Sequence, residues 1–454
     1  MNLKGKKEAI YAFVWNLLSK GCSYILLLVL ANLYLKPDFG RASFVISLYS
    51  LTFAIAFLGA TNIFTAWYIK KKDCTSIFWF MGLLTAIATV VWLIASAGHI
   101  WIMPFAVLLP LNFLNTISSS ILNSKYRYDI SQSNSVLFIA IIILGAILLS
   151  GFGKTGIIIA YSAGYLATSL RLIYISRKEI WGLAKKVRLN WDSVKEYAIP
   201  ALTVTLIGFA FSFLGWLDST VLGLLSTFEN VAIYNVVGSV ANALTLIPLS
   251  LGGFLLARAA EIENKEISKS VLKRVLRVSY SISIIAAIIL AALLSLIFRI
   301  FFPGYIGNEI YAMILSIGIM LYGVYYLIYT YTIGQLNPGK GLAPIGIAAL
   351  INLILDIILI PEFGIYGIAF ATSFAHLIAF LLLLKKTGML KENIRLLIPM
   401  IFIPAAFYLS YWGLILAPAC ILFLISMKIM QKSDFEAIRR TIIAVFSKEE
   451  DKKR

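Results

Sequence analysis

Charge is scarce in this chain of 454 residues: 13% are Asp, Glu, Lys or Arg, about half of what a soluble protein uses to cover a water-facing surface. With 61% apolar residues and a mean hydropathy of +0.91, its solvent is lipid. Cysteine is nearly absent too. Cys22, Cys74 and Cys420, two of them inside apolar runs, give neither a disulfide framework nor metal-ligand spacing. Histidine occurs twice, and no HExxH, GxxxxGK[ST], GxSxG or CxxC arrangement is present. Gly151-x-Gly153 and Gly339-x-Gly341 are loop glycines without the strand and helix of a nucleotide site. Nucleotide hydrolysis is thereby excluded as the energy source, no cofactor is expected beyond a coupling proton or sodium ion, and the chain reads as a non-enzyme.

What is present is a series of apolar runs long enough to cross a bilayer. They lie near 8–35, 42–69, 77–97, 101–123, 131–150, 155–176, 196–225, 230–257, 275–302, 309–334, 342–360, 364–384, 395–411 and 413–430. A chain in hydrocarbon must pair every backbone N–H internally, and the runs lack the period-2 alternation of barrel strands. The expected fold is an all-α polytopic membrane protein of about 14 transmembrane helices. Lys4, Lys6 and Lys7 precede a run of full span length with no small-residue cleavage site, so it reads as an uncleaved first span.

Lys and Arg gather in alternate connections: Lys70 to Lys72, Lys125 and Arg127, Arg171 to Lys195, Arg258 to Arg277, Lys340, Lys385 to Arg395 and Lys428 onward. Few lie in the others (Lys36, Arg41, Lys154, Arg299). By the bias of cations toward the cytoplasm, both termini are inside, and the expected place is the cell membrane. The net charge of +18 is this sorting signal plus attraction to anionic membrane lipids; nucleic acid is not needed to explain it.

Two stretches repeat. Phe152-Gly153-Lys154-Thr155-Gly156-Ile157 and Phe363-Gly364-Ile365-Tyr366-Gly367-Ile368 share the pattern FGxxGI at the outer start of a span, and Pro37-Asp38-Phe39-Gly40 is similar to Glu229-Asn230-Val231-Ala232. These imply a duplication: a six-helix lobe over 1–180, a basic cytoplasmic linker over 181–195 and a second six-helix lobe over 196–386. Two added helices over 387–430 and a basic tail over 431–454 follow. Two such halves leave a cleft near the midplane, the usual site of a transported substrate.

Some residues do not belong in lipid. Lys20 lies about 18 Å into the first span at 1.5 Å per residue, where a charge costs about 3 kcal/mol. Asn16, Lys20 and Ser23 share a face, which suits the lining of a wet cavity and an anion such as phosphate; the alternative is a structural pair or a snorkelling chain. Asn235, Ser239, Asn242 and Thr245 form a stripe that either lines the cleft or bonds helix to helix. Asp218 is a proton or sodium site, or the partner of Lys20 or Arg41. Asp356, near a span end, fits ion coupling or interfacial anchoring. His376 is a titrating group or a neutral hydrogen-bonding one.

Asn16-Leu17-Leu18-Ser19-Lys20, Pro37-Asp38-Phe39-Gly40, Tyr197-Ala198-Ile199-Pro200, Asp218-Ser219-Thr220-Val221-Leu222-Gly223 and the run from Asn352 to Ala369 resemble polysaccharide flippases. Those belong to the multidrug/oligosaccharidyl-lipid/polysaccharide exporter superfamily. The resemblance implies two six-helix lobes in a V with two extra C-terminal helices. It implies transport of a polyprenyl-diphosphate-linked oligosaccharide from the cytoplasmic to the outer leaflet, beside a polysaccharide polymerase and glycosyltransferases. It also implies cavity cations on the diphosphate: Lys20 matches that pattern, Arg41 and Arg258 by region only. The alternative in the same superfamily is a multidrug extruder driven by protons or sodium, which needs cavity carboxylates that the first half lacks in mid-membrane. A membrane scaffold or a passive scramblase is the third reading, and a scaffold has no need of a charge at depth.

Overall fold

The computed structural model describes residues 3–427 and 429, apart from 57–59, 70–73, 126, 187–188, 199–201, 203–205, 207–216, 247, 250, 253–254, 256–258, 260–261, 263–264 and 336–338. No strand forms among the described residues. The protein is an all-α polytopic membrane protein. Arg258, Lys70 to Lys72, Pro200 and the basic tail over 431–454 fall outside the described residues, as does the side chain of Asn16.

The chain divides into two compact units, Met1–Val236 with Asp356–Ile365 and Val237–Leu355 with Tyr366–Arg454. The first holds α1 (Leu3–Leu33), α2 (Lys36–Ala56), α3 (Ala60–Ile69), α4 (Cys74–Ser96), α5 (Met103–Ser124), α6 (Tyr128–Leu148), α7 (Gly153–Ile175), α8 (Arg177–Ala184) and α9 (Asp218–Leu225). α10 (Phe228–Asn242) begins in it. α1 packs on α6, α6 on α7, and α5 on α4 and α7. Tyr34 pins α1 to α6 by donating to the Ala146 carbonyl at 2.7 Å. One core gathers Phe64, Trp67, Ile77, Phe78, Met81, Phe113, Ile117 and Tyr197. A second surrounds Tyr49, whose ring meets Phe105, Trp92 and Tyr165 at 4.6, 5.7 and 5.6 Å.

Three boundaries depart from the sequence reading. Pro37-Asp38-Phe39-Gly40 and Glu229-Asn230-Val231-Ala232 do not precede their helices but form the first turns, where a proline costs no hydrogen bond and an acid complements the helix dipole. The basic linker is not wholly a connector either. Its first part is α8, whose Ile180 and Leu183 join the first core, and Asn190 N–H donates to Ser76 Oγ at 2.9 Å. In the second unit, α11 (Lys265–Phe301) begins well before the apolar run. Lys269, Lys273 and Arg274 belong to this helix, which also buries Leu272 and Leu276.

The second unit continues with α12 (Glu309–Gly334), α13 (Gly339–Lys386) apart from its stretch Asp356–Ile365, α14 (Leu390–Asn393), α15 (Phe402–Leu409) and α16 (Leu416–Ser426). α11 packs on α12, α15 and α16. α13 is broken at Gly364, which has φ 53° and ψ −125°, so it makes two arms. Gly153 has φ 53° and ψ −139°, the same turn in the other copy of FGxxGI. The last two helical segments are joined by this turn as well, at Ser410 with φ 50° and ψ −130°. Leu409-Ser410-Tyr411-Trp412-Gly413-Leu414 is thus a third version of the pattern, hidden in sequence because Ser stands for the first Gly. The second glycine has its own reason. A Cβ on Gly156 would overlap the Leu149 carbonyl oxygen, and one on Gly413 that of Ala406, each seven residues back.

Candidate functional site

Within the first unit, the first turn of α2 packs against α9 and the start of α10. Gly40 lies so close to Phe228 that a Cβ there would overlap its carbonyl oxygen and sit 2.6 Å from its carbonyl carbon. Around this approach Lys36 Nζ pairs with Glu229 Oε1 at 3.3 Å, and the Phe44 and Phe228 rings meet edge to face at 5.7 Å. Arg41 stacks its guanidinium 5.4 Å from the Phe228 ring. The two FG turns close onto the same assembly. A Cβ on Gly153 would lie 2.6 Å from Asp38 Oδ2, and one on Gly364 3.5 Å from Asn230 Nδ2. Asp38 and Asn230 hold corresponding places in the repeated motif, so each copy sets the same helix-start side chain against its own turn glycine.

At the start of α9 two carboxyl groups come near each other in a buried place. Asp218 and Asp356 are both fully buried, and their charges interact. The Tyr234 hydroxyl donates to Asp218 Oδ2, Ser219 Oγ donates to Asn235 Oδ1 at 3.5 Å, and Asn235 Nδ2 donates to the Val231 carbonyl at 2.8 Å. Like charges near one another in a dry environment oppose each other, and a shared proton or a bound cation relieves that cost. Asn352 is buried one turn earlier on the same helix face as Asp356. Among the described residues no three His, Cys, Asp or Glu come together.

Lys20 lies near the middle of α1, exposed, and makes no hydrogen bond or ion pair with a described residue. Ser23, on its face, donates to the Ser19 carbonyl at 2.9 Å. Ser239 and Asn242 follow Asn235 along one face of α10, Ser239 half-buried and Asn242 exposed, while Thr245 donates to the Asn242 carbonyl at 2.7 Å. In the second unit His376 is buried, its Nδ1 3.0 Å from the Tyr325 hydroxyl and its ring stacked 5.4 Å from Tyr322.

Two features escaped the sequence reading. Arg171, counted among the loop charges, lies inside α7, where Asn134 Oδ1 accepts from Nη1 at 3.1 Å and Ser133 Oγ from Nη2 at 3.2 Å. Beside it α5 carries Asn115, Ser119 and Asn123 on one face. Asn115 Oδ1 and Asn123 Oδ1 are buried without a hydrogen-bond partner among the described residues, and Ser119 Oγ is 2.7 Å from Ser131 Oγ. The second feature is the tyrosine ladder Tyr322, Tyr325, Tyr326 and Tyr329 of α12, legible at helical spacing once His376 is known to stack on it.

This arrangement of helices occurs in solved structures. The lipid II flippase MurJ in an inward closed conformation superposes with a TM-score of 0.59 at 17% identity, over 95% of this chain and 94% of that one. An inward-facing multidrug resistance MATE family transporter of the MOP superfamily gives 0.59 at 13% identity, over 86% of this chain and 95% of that one. The chain has the fold of these transporters. No protein-family profile matches the sequence, and no curated protein does. At such identities the likeness establishes the fold and leaves the cargo to the residues of the chain itself.

Proposed function

We propose that the protein is a secondary carrier that moves a polyprenyl-diphosphate-linked oligosaccharide from the cytoplasmic to the outer leaflet for surface polysaccharide synthesis. The observation that carries this reading is Lys20. An ammonium in the middle of an apolar helix, exposed and without an ion-pair partner among the described residues, costs about 3 kcal/mol in hydrocarbon and is tolerated where water or an anion meets it. A diphosphate head needs such a path, whereas its polyprenyl tail can stay in lipid. Arg41 takes part at the α2–α10 contact, and the stripe Asn235, Ser239 and Asn242 offers hydrogen bonds to sugar hydroxyls. Asp218 and Asp356 carry the coupling proton or sodium ion. The partners are the lipid-linked glycan, membrane lipids, and the polymerase and glycosyltransferases that use and supply it.

The test is complementation of a strain lacking the chain. Lys20→Ala is expected to abolish export of surface polysaccharide while the protein stays in the membrane at normal level; wild-type polysaccharide from that variant would overturn the reading. The buried carboxylate pair favours one other reading, an extruder of organic cations. In that case loss of the chain sensitises cells to cationic dyes and leaves the polysaccharide intact.

A further inference from the structure

The second unit contains a cavity of about 310 Å³ that takes no part in the carrier reading. It opens where the start of α11, the end of α12 and both ends of α13 meet, and Leu272 and Met389 form its apolar floor. Two ammonium groups, Lys269 and Lys340, line it with one carboxylate, Glu266. The neutral polar groups are partly committed: Gln335 Nε2 donates to the Ala259 carbonyl at 2.7 Å and to Ser268 Oγ at 2.9 Å, and Thr332 donates to the Tyr329 carbonyl at 2.7 Å. Lys269, Lys340 and the Tyr331 hydroxyl make no hydrogen bond to a described residue, while the Glu266 carboxylate is engaged in an interaction of its own. The two ammonium groups and the hydroxyl can all donate.

A cavity whose uncommitted polar groups are donors, two of them cationic, selects an anion with several acceptor oxygens. Its volume lies at the lower end of ligand pockets, roughly 300–1,000 Å³, larger than a simple halide needs and suited to a headgroup. Lys385 and Lys386 are exposed at the end of α13, and Glu392, whose carboxylate also feels Lys269, is paired with Lys273 at 2.7 Å. α11 and α13 also begin here, and their first-turn N–H groups add to the positive potential. We propose that this cavity binds a phosphate group, supplied by an anionic phospholipid headgroup of the adjoining leaflet or by soluble phosphate, at a site separate from the transport path.

Purified full-length protein in neutral detergent tests this by native mass spectrometry and thermal shift, with phosphatidylglycerol, phosphatidylcholine or inorganic phosphate added at constant ionic strength. The wild type is expected to retain phosphatidylglycerol at least tenfold better than the double variant Lys269→Gln/Lys340→Gln. Lys178→Gln/Lys185→Gln, which removes one cation from α8 and the one that follows it, should leave retention unchanged, and Lys269→Arg/Lys340→Arg should restore it. Thr387→Phe fills the cavity with the charges intact and should lower retention alike, which guards against a folding defect in the first variant. If inorganic phosphate stabilises the wild type and displaces the lipid, the source is the soluble ion; if phosphatidylglycerol binds undisturbed by phosphate, it is the headgroup. Equal binding of phosphatidylglycerol and phosphatidylcholine, or no difference between the wild type and the double variant, would overturn the proposal.

Discussion

Replacing Gly40 by alanine is the sharpest probe of the α2–α10 contact. The added methyl group meets backbone, the Phe228 carbonyl carbon at 2.6 Å and the Ala232 nitrogen at 3.2 Å, so no side chain can rotate away and the helix starts must separate by about 1.5 Å to restore van der Waals distance. Overpacking of this kind costs about 1–3 kcal/mol. The separation also weakens the edge-to-face pair of Phe44 and Phe228, about 0.5–1.5 kcal/mol, and the stacking of Arg41, about 0.5–1 kcal/mol. The exposed Lys36–Glu229 pair adds nothing that can be counted on. Together these give about 2–5.5 kcal/mol, a shift of roughly 30- to 10,000-fold between the state that makes this contact and one that does not. In a background with Cys22, Cys74 and Cys420 replaced by serine, Ala232→Cys reports the opening, because Ala232 is fully buried here. A membrane-impermeant maleimide added outside intact cells should label it slowly with Gly40 present and many times faster in Gly40→Ala. A lower melting temperature with no gain in labelling would refute the reasoning and show that the contact is packing alone.

Other expectations follow from the same geometry. Ser410 occupies a φ, ψ pair that favours glycine, so Ser410→Gly should stabilise the protein by about 1 kcal/mol, seen as a rise of a few degrees in melting temperature, whereas Gly364→Ala should lower it. Asp218→Asn and Asp356→Asn should each remove the dependence of transport on external sodium or pH and leave membrane insertion intact; unchanged ion dependence in both would remove the pair from coupling. Burial opposes ionisation of Glu179, but the hydrogen bond and charge of Lys125 outweigh it and hold the carboxyl below its usual value. A depressed value contributes stability above the unfolded pKa and loses it as pH falls through the folded one. The melting-temperature gap between wild type and Lys125→Met should therefore be constant above about pH 5 and close below it.

The helices were legible because nothing but a helix can satisfy a backbone across a long apolar run, and Lys20 stands out because a charge in such a run must be paired, snorkel or meet water. The start of α11 was hidden by its lysines: their charge lowers hydropathy, while Leu272 and Leu276 still bury one face. Arg171 was misplaced for a related reason. A count of cations cannot tell a loop arginine from one inside a helix whose partners are the neutral Asn134 and Ser133. The meeting of Asp218 with Asp356 could not be read at all, since the two lie on helices far apart in sequence and neither carries a motif that names the other.

The repeated FGxxGI turn is a weaker witness to duplication than it first looked. Ser410 adopts the same backbone conformation in a hairpin outside both repeats, so the turn answers a local need: a tight reversal between antiparallel helices with a close approach to a carbonyl seven residues back. What chance does not supply is the second relation. Gly153 faces Asp38 and Gly364 faces Asn230, and these two side chains stand at matching places in the first turns of α2 and α10, which themselves pack together through Gly40 and Phe228. A local rule fixes the turn in three hairpins. The pairing of turn with helix start occurs in the two that the sequence also matches elsewhere, and a double exchange, Asp38→Asn with Asn230→Asp, is accordingly expected to lower the melting temperature less than the sum of the two single substitutions.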